Sequence, residues 1–267
     1  MYDIENYYNA NTIEEAVRLL KEHPDTRVIS GGSDVLIKIR EGKMAGTSLV
    51  SIRDIKELNG ITKKENGDIY IGAGTTFSHI TNDPVIQENI PVLGEAVDQV
   101  GGPQIRNIGT IGGNICNGAV SADSAPTVFS LNALLRIEDG NGGRIVPVRD
   151  FYLGPGRVDL KRGEILTHVI IPAKEYQGYH GNYIKYSMRK AMDIATLSCS
   201  VVSKVNTEKN ILEDVRITFG VAAPVPFRCE KTEAALKGQE ISEKLYEMTE
   251  QSIRQEINPR DSWRASR

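Results

Sequence analysis

Apolar positions recur at helical spacing early in the chain. After Thr12, residues Ala16, Val17, Leu19 and Leu20 form one face, acids occupy the first turn and His23-Pro24 ends the run, which predicts an amphipathic helix. Arg27 to Ser30 reads as a short buried strand entering Gly31-Gly32, Val35 to Ile39 as a second short apolar run after that turn, and Leu49 to Ile52 as another strand. Ile61 to Lys64 and Ile69 to Ala73 flank Asn66-Gly67, a hairpin signal. Thr76 to Asn82 and Pro91 to Val100 predict helices. Gly101 to Ser124 is too rich in Gly, Asn and Ser for regular structure, so a long functional loop is expected there.

Leu134 to Ile137 and Arg144 to Val148 flank Asp139-Gly-Asn-Gly-Gly and predict a second hairpin, and Ile165 to Ile171 predicts a strand that Pro172 ends. The polar, turn-forming segment 172–178 marks a domain boundary. Beyond it, Tyr183 to Met188, Ser198 to Val205 and Ile211 to Ala222 alternate as an antiparallel meander. A short helix over Glu230 to Lys237 follows, then one with Ile241, Leu245, Met248, Ile253 and Ile257 on its apolar stripe. The expected domains are 1–174, with subdomains of about 1–55 and 56–174, and 178–267.

Composition narrows the partners. The 267 residues are 40% hydrophobic and 25% charged, as in an ordinary globular chain. Lys plus Arg number 32 against 35 Asp plus Glu, a net charge of −3, so no basic field exists to hold nucleic acid. Cys116, Cys199 and Cys229 lie far apart with no CxxC pair, which fits reduced thiols in the cytoplasm and excludes an iron–sulfur cluster held by this chain alone. No stretch approaches the ~20 apolar residues a bilayer needs, and the N-terminus has no signal-like pattern, so no membrane partner is expected. His23, His79, His168 and His180 are scattered without metal-ligand spacing, and no metal site is expected.

Two segments can carry chemistry. Ser30-Gly-Gly-Ser-Asp follows a buried strand. Glycines without Cβ atoms let backbone N–H groups approach an anion, although a tight turn between two strands explains the pair equally. It is neither a Walker A nor a GxGxxG motif. The second segment runs from Val100 to Ser124, where hydroxyl and amide side chains interleave with glycines and only Arg106 and Asp123 are charged. It can wrap a polar ligand, or it is a plain irregular loop.

Ser30-Gly-Gly-Ser-Asp, Gly102-Pro-Gln-Ile-Arg-Asn, Thr110-Ile-Gly-Gly-Asn, Ser121-Ala-Asp-Ser and Ile184-Lys-Tyr-Ser-Met-Arg with Asp193-Ile, in this order, resemble the FAD-binding subunits of molybdenum hydroxylases. Within that family the likeness is to bacterial xanthine dehydrogenase FAD subunits, over nearly the whole chain. It implies a vanillyl-alcohol-oxidase-like (PCMH-type) α+β fold of two α+β subdomains plus a C-terminal α+β domain with an antiparallel sheet.

By motif match, Arg27, Val28, Ile29, Ser30, Gly31, Gly32, Ser33 and Asp34 would cradle the pyrophosphate and adenosine end of FAD. Thr110, Ile111, Gly112, Gly113 and Asn114 would supply a second phosphate-binding turn, and Asp123 would accept hydrogen bonds from cofactor hydroxyls. Val100 stands where relatives place a flavin-contacting residue, Ile165 or Leu166 would pack on the cofactor, and Lys185 matches a lysine near the flavin, where a cation favours the reduced anion.

The resemblance further implies non-covalent FAD, electrons from a 2Fe–2S ferredoxin-like subunit passing to NAD, and hydroxylation on a molybdopterin-binding large subunit. No catalytic residue is assigned, because a hydride relay requires no protein base. The alternatives are a stand-alone flavin reductase of the same fold, although no substrate-protonating motif of that kind is present, and a non-catalytic nucleotide-binding scaffold. Some members carry an inserted cysteine cluster, which this chain lacks. Relatives generally continue beyond Ser262-Trp-Arg-Ala-Ser-Arg, so a short or incomplete C-terminus is expected.

Overall fold

A computed structural model describes residues 2–266; Met1 and Arg267, the outermost positions of the expected domains, lie outside it. The chain opens with β1 (Ile4–Asn9), α1 (Ile13–Glu22), β2 (Arg27–Ile29), α2 (Val35–Arg40) and β3 (Thr47–Ser51). The three strands form a parallel sheet in the order β1-β3-β2. Thr12 caps α1 by accepting the N–H of Glu15, and the apolar face Ala16, Val17, Leu19 and Leu20 packs with Val50, Ile52, Ile55 and Leu58. On the other side, α2 packs Ile39 with Ile29 and Leu49. Val35 to Ile39 is therefore helical, and the spacing of its apolar residues, too short to show a period, concealed this.

The next strands are β4 (Ile61–Lys63) and β5 (Ile69–Gly72), followed by helices α3 (Phe77–Asn82), α4 (Pro84–Asn89), α5 (Pro91–Asp98), α6 (Pro103–Arg106), α7 (Ile111–Cys116) and α8 (Ser124–Ser130). The chain returns through β6 (Leu134–Glu138), β7 (Arg144–Pro147), α9 (Val148–Phe151), the small hairpin β8 (Tyr152–Gly154) and β9 (Arg157–Val158), and β10 (Ile165–Ile171). A five-stranded sheet in the order β4-β5-β10-β6-β7 carries the main core on one face. The expected structureless loop over Gly101 to Ser124 is corrected here, because it holds α6 and α7. Pro103 at the first turn of α6 and the Thr110 cap of α7 start helices that glycine content alone argues against.

Last come β11 (His180–Tyr186), β12 (Leu197–Asn206), β13 (Ile211–Gly220), β14 (Phe227–Arg228), α10 (Glu230–Leu236) and α11 (Glu243–Glu256). The four strands make an antiparallel sheet in sequence order. One face packs Val215, Ile217 and Phe219 against Leu236 and Leu245 of the two helices. The other meets α8 across buried hydroxyls, with Ser130 and Ser200 at 2.9 Å, and lays Gly181 on Val92 of α5, where a Cβ would fall 2.7 Å from that side chain.

Candidate functional site

The first double-glycine motif touches the residues that lead into the second, far apart from it in sequence. A Cβ on Gly31 would lie 1.8 Å from the carbonyl oxygen of Ile108 and 3.1 Å from the N of Gly109, so only glycine permits this approach. Gly32 has φ +73°, the left-handed region, and turns the chain into α2. Lys38 of α2 pairs with Asp34 at 2.6 Å and donates to Asn117 Oδ1 at 3.0 Å, fastening the first turn to the end of α7.

The turns differ in what they leave free. Among the described residues, the N–H groups of Gly31, Gly32, Ser33 and Asp34 find no hydrogen-bond acceptor within the chain. The second turn spends its donors internally: Ile111 N on Thr75 O at 3.1 Å, Gly112 N on Ala73 O at 2.8 Å and Gly113 N on Thr110 Oγ1 at 3.2 Å. Gly112 lies on Ala73, where a Cβ would sit 2.6 Å from the Ala73 oxygen, whereas a Cβ on exposed Gly113 would meet only the Thr110 hydroxyl. The first turn is thus a cradle of unpaired donors, and the second, which begins just after the contact at Ile108 and Gly109, presents bare backbone at Gly113. This donor set fits the anionic pyrophosphate of a dinucleotide cofactor.

A second cluster lies where β11 crosses the start of α8. Lys185 Nζ bonds Asp123 Oδ2 at 2.8 Å and Gln99 O at 2.9 Å, and Tyr183 donates its hydroxyl to Asp123 Oδ1 at 2.8 Å. The Lys185 and Asp123 side chains are 6% and 7% exposed, so each charge is matched only by the other and by these hydrogen bonds. Burial raises the Asp123 carboxyl above the ordinary range, with Lys185 and Tyr183 offsetting this in part. Burial and the neighbouring Asp123 also push the Tyr183 phenol up.

The other predicted positions fall as follows. Arg27, Val28 and Ile29 form β2, with Arg27 exposed and Ile29 buried. Ser30 and Ser33 are half-buried beside the first glycines. Val100 is half-buried against the main core, its carbonyl accepting from Arg106 at 3.3 Å. Asn114 Oδ1 accepts from Ser124 at 2.6 Å. The side chains of Ile165 and Leu166 are buried, Ile165 in the core under α1 and Leu166 in the main core that also holds Ile111 of the second turn.

Tyr183, Gln99, Lys38 and Asn117 were missed. Tyr183 lies two residues before Lys185 on the same strand face, and Lys38 one helical turn after Asp34, so period alone could have found both. Among the described residues no group of three His, Cys, Asp or Glu is placed to hold a metal, and no helix is long and apolar enough to cross a membrane.

The parallel N-terminal sheet, the antiparallel middle sheet and the glycine cradle joining them define a PCMH-type FAD-binding fold. Residues 2–174 match the family described as FAD binding domain in molybdopterin dehydrogenase, and residues 182–267 match the CO dehydrogenase flavoprotein C-terminal domain. The chain belongs to this family of molybdopterin dehydrogenase FAD-binding chains.

It is 38% identical to the xanthine dehydrogenase FAD-binding subunit of Escherichia coli O157:H7, over 100% of this chain and 91% of that one. It is 32% identical to the nicotinate dehydrogenase FAD-subunit of Eubacterium barkeri, over 93% and 84%. A solved chain of carbon monoxide dehydrogenase from Hydrogenophaga pseudoflava superposes with a TM-score of 0.93 at 29% identity, covering 100% of this chain and 91% of that chain.

Proposed function

We propose that this chain is the flavin subunit of a xanthine-dehydrogenase-type molybdenum hydroxylase in the cytoplasm. It holds FAD non-covalently and passes electrons from a 2Fe–2S ferredoxin-like partner to NAD, while a molybdopterin-binding large subunit hydroxylates the substrate. The observation that carries this reading is the contact of Gly31 with the Ile108 carbonyl, which sets the four unpaired backbone donors of the first turn against the chain entering the second.

FAD, when bound, supplies a carrier that accepts single electrons and releases a hydride. The residues of the chain bind and orient it. The N–H groups of Gly31 to Asp34 would hold phosphate oxygens, Gly113 leaves room for close approach, and Arg27 to Ile29 lead into the cradle. Lys185 and Asp123 would border the flavin, and their mutual pairing fixes both side chains. The likeness to a xanthine dehydrogenase subunit along the full chain supports the reaction class.

The test is an absorbance spectrum of the natively purified complex, with NADH added to the isolated chain. Flavin and iron–sulfur bands in the complex, with bleaching of the flavin by NADH, are expected. A colourless chain overturns FAD binding, and a flavin that NADH leaves oxidised overturns NAD as the acceptor.

A further inference from the structure

Helix α8 is held at both ends by the third sheet. Asp123, at its start, meets Tyr183 and Lys185 of β11, and Ser130, in its last turn, meets Ser200 of β12 at 2.9 Å. All seven residues of the helix are buried. Its start has no side-chain cap, because the Asp123 carboxylate is aimed at Lys185 and Tyr183 instead of at the helix N–H groups.

The far end is gripped by two arginines. Arg228 of β14 donates through Nη1 to Phe129 O at 3.3 Å and to Asn132 Oδ1 at 2.9 Å, and Arg216 of β13 donates to Ser130 O at 3.3 Å. A helix C-terminus leaves such carbonyls short of partners, and a cation there also meets the negative end of the helix dipole. Each arginine is itself braced. Glu233 of α10 accepts from Arg228 Nε at 2.6 Å and from Nη2 at 2.5 Å, while Glu175 pairs with Arg216 at 3.0 Å and accepts from Asn132 Nδ2 at 2.8 Å. Asn132, at φ +46° just past the helix, thus ties the two arginines together. Both arginine side chains are buried, so a fork fixed by a carboxylate holds the last turn in one place. The helix between the two grips is a rod of about 10 Å, too short to absorb a shift at one end without passing it to the other.

We infer that Arg228 and Arg216 are positioning residues: by fixing the last turn of α8 they set where Asp123 meets Lys185, and so how much of the lysine's charge is left to act on the flavin. This rests on the function proposed above, in which Lys185 and Asp123 border the flavin. With the grip released, Asp123 withdraws and neutralises Lys185 less, which favours the reduced, anionic flavin.

The test is a potentiometric titration of the flavin in the full chain. Arg228→Met is combined with Glu233→Gln so that no buried carboxylate is stranded, and the reduced form is expected to gain about threefold or more at a fixed potential, raising the midpoint. Arg228→Lys, which keeps a cation at the helix end, is expected to return most of that change. Leu245→Ala loosens the core on the opposite face of the sheet and is expected to leave the midpoint at the wild-type value. An unchanged or lowered midpoint in the paired variant overturns the inference, as does an equal shift in Leu245→Ala. A second measurement needs no flavin. The coupling of Asp123 to Lys185, read from denaturation of Asp123→Asn, Lys185→Met and their double variant, is expected to fall to about half or less when the paired Arg228 and Glu233 changes are present. A chain that binds no FAD would overturn the functional reading alone, and this cycle would then decide the positioning, with undiminished coupling overturning it.

Discussion

Lys185 and Asp123 meet as an ion pair with Nζ 2.8 Å from Oδ2, and they join strand β11 of the third sheet to the start of helix α8 in the flavin domain. Removing one partner strands the other charge in a buried place. Lys185→Met is therefore expected to destabilise the chain by about 3–5 kcal/mol, and adding Asp123→Asn to recover part of that loss. Chemical denaturation of wild type, single and double variants measures both, and a single variant with the wild-type midpoint would show that the pair holds nothing in place.

The glycine turns predict a contrast. Gly31→Ala drives a methyl into the Ile108 carbonyl and should lose both bound FAD and several degrees of melting temperature. Gly113→Ala meets only the capping hydroxyl of Thr110, at 2.9 Å, and should cost at most about 1 kcal/mol of fold stability while flavin retention falls severalfold. Flavin absorbance per protein, read beside a thermal melt, separates the two. Full flavin content in Gly113→Ala would move the cofactor away from the second turn.

Flavin attachment is expected to be non-covalent. Cys116 is the nucleophile nearest in sequence to the second turn, and burial pushes its thiol up to about 12, so at neutral pH it is not a thiolate. Acid precipitation should leave the flavin in the supernatant, and iodoacetamide at pH 8 should modify Cys116 far more slowly in the folded chain than in urea. Yellow colour retained in the washed pellet would contradict this.

Arg144 sets an acid limit. It bonds Asp159 at 2.6 Å and Glu164 through two nitrogens, each at 2.9 Å. Its hydrogen bonds hold the Asp159 carboxyl below the ordinary range. Burial would raise Glu164, but Arg144 and the Lys161 N–H outweigh it and bring Glu164 below as well. The unfolded chain then binds more protons than the folded one in acid, so this stability is present above the ordinary carboxylate range and is lost as pH falls through the lowered values. Arg144→Met should melt earlier than wild type at pH 7, and the two melting curves should converge below roughly pH 4. A constant gap across that range would show that the three groups are not coupled.

Much of this was legible in the residue pattern. The strand Ile165 to Ile171 was readable to the residue because a run rich in β-branched residues ends at a proline, and both hairpins because Asn-Gly and Asp-Gly demand particular turns. Helices α4, α6, α7 and α8 were not. They are short, and burial among neighbours rather than propensity makes Ile111-Gly-Gly-Asn-Ile-Cys helical. For the site, the motifs located both glycine turns, but that Gly31 rests on Ile108 and that Lys185 spends its charge on Asp123 are tertiary facts that spacing does not contain.

The place of Ile165 bears on how the chain is made. Its side chain completes the hydrophobic cluster beneath α1 together with Val50 and Ile52, yet it belongs to a strand of the middle sheet that is translated long after them. The first sheet therefore leaves the ribosome with a gap in its core, and its final packing waits until the chain has been synthesised through β10. The first glycine turn, carried by that sheet, therefore rests on a packing that only a strand of the middle sheet completes.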